Sequence, residues 1–178
     1  MRQVHNLALI GFMGTGKSSV GQFVANHMHF SFLDTDQVIE ARAGKTISRI
    51  FSEDGEPVFR DWERRIVEEL VSRTHTVIAT GGGLPTVEAN LASLKTHALV
   101  VCLWASPERI WERVRGQIHR PLLNDSDPLA KVRHLLEIRE PHYRRADVLV
   151  NTEMRSVKEV AQQVLHHFLA AQAGARGV

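Results

Sequence analysis

The chain has 178 residues, 43% of them apolar and 24% charged, with a formal charge of only +2. That is enough for one domain with a sizeable core, and the modest charge argues against a general nucleic-acid binder. The one cysteine, Cys102, excludes an internal disulfide and fits a reducing, cytoplasmic setting; no apolar run nears the roughly 20 residues of a membrane span, and the N-terminus lacks the apolar region of a signal peptide.

The first apolar run, "NLALI" (6–10), reads as a buried strand. "GFMGTGKSS" follows at once, and Gly11, Gly16, Lys17 and Ser18 fill the pattern G-x-x-x-x-G-K-[ST]. Such a loop cradles phosphate with backbone N–H groups and the N-terminus of the next helix. Its lysine reaches the β- and γ-phosphates, and its serine hydroxyl ligates Mg²⁺. Gly14, Thr15 and Ser19 belong to the same cradle, and a helix is expected over 17–28.

"SFL" (31–33) is the second strand candidate, followed by a helix over 35–42. Asp34 and Asp36 stand at its carboxyl end. Read as locally extended, they point the same way, Asp34 toward a metal and Asp36 toward a substrate hydroxyl. The plain alternative is that one merely caps the next helix. Helices over 46–53 and 57–73 come next. Glu56, Phe59, Arg60 and Glu63 share a helical face, which is either solvated or an arginine braced to hold a carboxylate.

"TVIAT" (76–80) is a third strand and runs into Gly81, Gly82 and Gly83. Three glycines there suit a backbone wall that a small substrate can approach closely. A helix over 86–95 leads to the strand "ALVVCLW" (98–104), where Cys102 reads as a core residue. Ser106-Pro107 and Asp127-Pro128 start helices over 107–116 and 128–140, and Pro141 is expected to stop the second. "DVLV" (147–150) is the last strand, a helix over 156–171 follows, and the tail 172–178 is expected to fray. The histidines lack metal-ligand spacing. The β-α alternation implies a parallel sheet with helices on both faces and ligands at the carboxyl ends of its strands.

Six separated stretches occur in one order: "GFMGTGKSSVG", "FLDTDQVIE", "GKTISRIFSEDGEPVFRDWE", "VIATGGGLP", "HRPLL" and "REPHYRRAD". Together, over roughly residues 6–155, they resemble the shikimate kinases, small P-loop kinases of the nucleoside-monophosphate-kinase type. The resemblance implies a three-layer α/β fold with a five-stranded parallel sheet in the order 2-3-1-4-5. It implies one domain over 1–178, with a substrate-binding region at about 34–63. It further implies transfer of the ATP γ-phosphoryl group to the 3-hydroxyl of shikimate, with Mg²⁺, in aromatic amino acid biosynthesis.

By position, Asp36 resembles the aspartate that bonds the ring hydroxyls, and Arg60 and Arg139 the pair gripping the carboxylate. Gly82, flanked by Gly81 and Gly83, resembles the backbone contact to substrate. Segment 113–127, with Gly116 and several arginines, resembles a mobile lid whose Arg120 closes over the phosphates; Arg115 reads as surface charge. Lys17, Asp36 and Arg120 are then the catalytic set, Ser18 and Asp34 support Mg²⁺, and Arg155 corresponds to a position near adenine. Ser19 stands where the family often has threonine. The rivals are a kinase of this fold acting on gluconate or a nucleoside monophosphate, and a non-catalytic module. A non-catalytic module would have lost Lys17, Asp36 or an arginine, and all are present. A monomer binding ATP and shikimate, with no nucleic-acid or membrane partner, is expected.

Overall fold

Strand and helix formers alternate along the chain, and the alternation resolves into a single parallel sheet. The computed structural model describes residues 4–116 and 127–176. Its strands are β1 (Asn6–Ile10), β2 (Ser31–Asp34), β3 (Thr76–Ala79), β4 (Ala98–Trp104) and β5 (Val148–Asn151). They lie in the order β2-β3-β1-β4-β5 with every neighbouring pair parallel. The helices are α1 (Lys17–Met28), α2 (Thr35–Ala43), α3 (Ile47–Arg49), α4 (Glu56–Leu70), α5 (Glu88–His97), α6 (Pro107–Val114), α7 (Pro128–Tyr143) and α8 (Val157–Arg176).

β1 is apolar after Asn6 because both of its faces are covered. Ala8 and Ile10 join Ile78, Val100 and Cys102 beneath Ile39 of α2, Ile66 of α4, Leu91 of α5, Ile110 of α6 and Leu136 of α7. Leu7 and Leu9 join Val77, Val101 and Leu103 against Val20 and Val24 of α1 and Val160 and Phe168 of α8. The period of two along each strand sorts its side chains between the layers. A fully buried Leu or Ile contributes roughly 1.5–3 kcal/mol, so these two layers, more than helix propensity, hold the sheet together.

Several element ends differ from the sequence expectation, each for a local reason. The stretch 46–53 is a short α3 that widens into a π-turn over Ile50–Asp54, closed by Gly55 N–H donating to Ile50 O at 2.9 Å. α4 stops at Leu70 rather than at 73, where Arg73 N–H turns back to Leu70 O. A 3-10 turn, Leu84–Thr86, takes the start of the helix expected over 86–95. Pro141 does not stop α7, which runs to Tyr143. A proline in the last turn removes only its own donor, and Arg144 N–H still bonds Glu140 O at 2.9 Å. α8 continues to Arg176, past the expected end at 171, because the alanine-rich run carries no stop signal stronger than Gly174. Among the described residues, no helix is long and apolar enough to cross a membrane.

Candidate active site

The carboxyl ends of β1, β2 and β3 bring the sequence-predicted residues together. After β1 the chain turns at Gly11, whose φ of 133° favours glycine and whose missing Cβ leaves room for the Leu103 carbonyl. Gly16, in the left-handed region, caps α1 without a side chain, and the first turn of α1 holds no acidic residue. The helix N-terminus is therefore open to an anion. Thr15 is buried and donates its hydroxyl to Phe12 O at 2.8 Å, so its side chain shapes the loop. Lys17 Nζ folds over the loop and donates to Gly11 O at 2.9 Å and Phe12 O at 2.8 Å. Ser18 and Ser19 are exposed.

Ser18 Oγ donates to Asp34 Oδ2 at 2.7 Å. Asp34 ends β2 and caps α2 as well, its Oδ1 accepting Asp36 N–H at 3.1 Å. The two readings of Asp34, metal support and helix cap, are therefore compatible. Asp36 is not in extended chain as the sequence reading assumed. It sits in the first turn of α2, where the cap aims its carboxylate at Gly81 so closely that a Cβ there would collide with it.

The three glycines form a wall with a different neighbour at each position. Gly81 faces Asp36, Gly82 faces Arg139 Nη1, and Gly83 faces the Arg60 guanidinium. Gly81 N–H is fixed by the buried Thr35 hydroxyl at 2.9 Å. Arg60 is braced from α4 by Glu63 Oε2 at 2.7 Å and by Glu56 Oε1 at 2.8 Å. Arg139 arrives from α7 and stacks over the Phe12 ring, with 5.5 Å from guanidinium to centroid. The face holding Glu56, Phe59, Arg60 and Glu63 is thus not simply solvated. Phe59 and Glu63 are buried, and among the described residues Glu63 Oε1 has no hydrogen-bond partner. Burial, aided by Asp36, pushes the Glu63 carboxyl up to about 7, although Arg60 and Arg139 oppose the rise.

Two further arginines are anchored by backbone carbonyls. Arg155 bonds Asn151 O at 2.7 Å and Gln163 Oε1 at 3.3 Å, both in its own segment. Arg113 instead reaches the cradle, donating to Gly14 O at 3.2 Å, Thr152 Oγ1 at 3.0 Å and Thr152 O at 2.6 Å. Arg120 lies outside the described residues, as does most of the expected lid. Among the described residues no cluster of three His, Cys, Asp or Glu is arranged for a metal. Thr35, Tyr143 and Arg113 are the contributors that sequence reasoning missed. Only Tyr143 had a signal there, one turn after Arg139 on the same helix.

Comparison with known proteins agrees with this geometry. A family model described as shikimate kinase matches residues 13–169. A shikimate kinase of Thermodesulfovibrio yellowstonii is 42% identical, over 92% of this chain and 94% of its own length. A shikimate kinase from Acinetobacter baumannii, solved in complex with shikimate, superposes with a TM-score of 0.89 at 39% identity, covering 94% of each chain. A gluconokinase from Sinorhizobium meliloti, with a TM-score of 0.65 at 19% identity over 99% of this chain and 98% of its own, shares the fold alone. With a phosphate cradle, an acid and two arginines converging on one glycine wall, and this similarity over nearly the whole length, the chain belongs to the shikimate kinase family.

Proposed function

We propose that the chain transfers the γ-phosphoryl group of ATP to the 3-hydroxyl of shikimate, giving shikimate 3-phosphate and ADP. The observation that carries this reading is the convergence of Arg60, Arg139 and Asp36 on Gly81–Gly83 from three different helices. Two guanidinium groups suit a planar carboxylate, and an aspartate suits ring hydroxyls. The site thus fits a small hydroxylated acid lying against the glycine backbone.

The assigned roles follow from position. Gly14, Thr15, Gly16, Lys17, Ser18 and Ser19 hold the phosphates, mostly through backbone amides. Lys17 must leave its carbonyl partners at Gly11 and Phe12 to reach a phosphate; nucleotide binding replaces two loop acceptors by anionic ones. Asp36 orients the acceptor hydroxyl and takes its proton as the phosphorus–oxygen bond forms. Arg60 and Arg139 fix the carboxylate, so the hydroxyl is presented in line. Arg120 is assigned to the phosphates and Arg155 to the adenine end, from the family resemblance.

Ser18 and Asp34 fit a Mg²⁺ ion, since a hydroxyl and a carboxylate 2.7 Å apart make a hard-oxygen pair at the mouth of the cradle. When bound, such an ion would neutralise developing phosphate charge. A single chain in the cytoplasm is the proposed working form.

The test is ADP release from Mg-ATP by purified protein, with shikimate, gluconate, AMP or no acceptor in parallel. Stimulation by shikimate alone is expected. Stimulation by gluconate or AMP instead would remove Arg60 and Arg139 from a shikimate site.

A further inference from the structure

Each peptide of the glycine wall is tethered, and none of the tethers comes from a residue assigned a part in the reaction. Gly81 N–H donates to Thr35 Oγ1, and Gly81 O accepts Leu84 N–H at 3.2 Å. Gly83 O accepts Thr86 N–H at 3.0 Å and the Thr86 hydroxyl at 2.7 Å. The peptide between Gly82 and Gly83 is held differently. Its carbonyl accepts the Tyr143 hydroxyl at 2.7 Å, from α7. Tyr143 is 2% exposed, and burial pushes its hydroxyl up to about 12, so it remains a donor at neutral pH.

The planar trans peptide turns this bond into a statement about the site. The Gly82 carbonyl and the Gly83 N–H lie in one plane and point in opposite directions within it. Fixing the carbonyl on the Tyr143 hydroxyl therefore turns the Gly83 N–H away from that hydroxyl. A peptide between two glycines can rotate with little steric resistance. Rotation would exchange the two groups and put the carbonyl, with its partial negative charge, where the N–H now points.

We infer that Tyr143 is a positioning residue for the acceptor: its hydroxyl locks the Gly82–Gly83 peptide so that the Gly83 N–H, and not the Gly82 carbonyl, faces the carboxylate subsite. This deepens the shikimate reading above and rests on it. Arg139, one turn before Tyr143, meets the same glycine and bonds the Tyr143 hydroxyl, so α7 acts there through two linked side chains. One makes direct contact with the substrate; the other controls the backbone beneath it.

Tyr143→Phe removes the hydroxyl and keeps the ring in the core. In steady-state assays we expect the shikimate KM to rise about five- to tenfold, the scale of one net hydrogen bond, while the MgATP KM stays within about twofold. A purely structural role would move both constants together with the melting temperature. An unchanged shikimate KM, or a parallel rise in both, overturns the inference. The wild-type protein labelled with ¹⁵N-glycine supplies a reading independent of the variant's folding. The Gly83 amide signal should shift on adding shikimate, and a silent signal overturns the inference as well. A wild type that does not turn over shikimate would overturn both this inference and the reading beneath it, whereas an active wild type with an unaffected Tyr143→Phe overturns this one alone.

Discussion

Asp34 joins two helices through its two oxygens: Ser18 Oγ donates to one at 2.7 Å and Asp36 N–H to the other at 3.1 Å. The first turn of α1, at the phosphate cradle, and the first turn of α2, at the acceptor wall, are thus referred to a single carboxylate. Asp34→Asn keeps the shape and removes the charge. The Mg²⁺ concentration for half-maximal turnover should rise about tenfold, with a smaller effect on the shikimate KM. A Mg²⁺ titration of turnover decides it, and an unchanged midpoint removes Asp34 from metal support.

Arg139 is stacked on Phe12 and faces Gly82. Arg139→Ala should weaken shikimate binding roughly 10- to 100-fold, the range for charge-assisted hydrogen bonds, while MgATP binding holds. Equilibrium titration with each ligand separates the two. An unaltered shikimate curve takes Arg139 out of the carboxylate site.

Glu63 gives a pH signature with a definite sign. Its carboxyl is raised from 4.5 to about 7, chiefly by burial. Between those values the unfolded chain has released a proton that the folded chain still holds, so this group's contribution to stability falls as pH rises and levels off above the window. Glu63→Gln does not titrate. Its melting temperature relative to wild type should climb between about pH 5 and about pH 8, by at most the equivalent of about 3 kcal/mol. A flat difference would mean that Glu63 is ionised throughout.

Arg113 joins the cradle carbonyl of Gly14 to Thr152 after β5. If it acts by fixing the loop, Arg113→Gln should weaken MgATP and inorganic tripolyphosphate alike, by roughly tenfold, and leave shikimate untouched. Calorimetry with the three ligands measures this. Loss confined to MgATP would place its action on the nucleoside instead.

What the sequence made legible was what short spacing decides. The loop from Gly11 to Ser19 carries its geometry in its own glycines, and the buried strands betray themselves by unbroken apolar runs. Asp34 was legible in position but not in its double role, because capping depends on where α2 begins. The long-range partners were hidden. Thr35, Arg113 and Tyr143 each act on backbone groups far along the chain, at separations of 46, 99 and 61 residues, and no local pattern announces such a bond. Pro141 misled because its usual effect as a helix breaker is small in a final turn.

Cys102 lies at the centre of β4, paired with Ile10 on one side and Leu149 on the other, and it is fully buried. Burial pushes its thiol up to about 12 despite the nearby Lys17. It is also the chain's only cysteine. A thiol reagent therefore reacts only when the middle of the sheet opens, and the unaltered protein carries its own clock for that opening. Nucleotide seated on the loop above should slow the clock in proportion to its occupancy, so the time course of mass gain would read ligand binding without a label, a coupled enzyme or a turnover event.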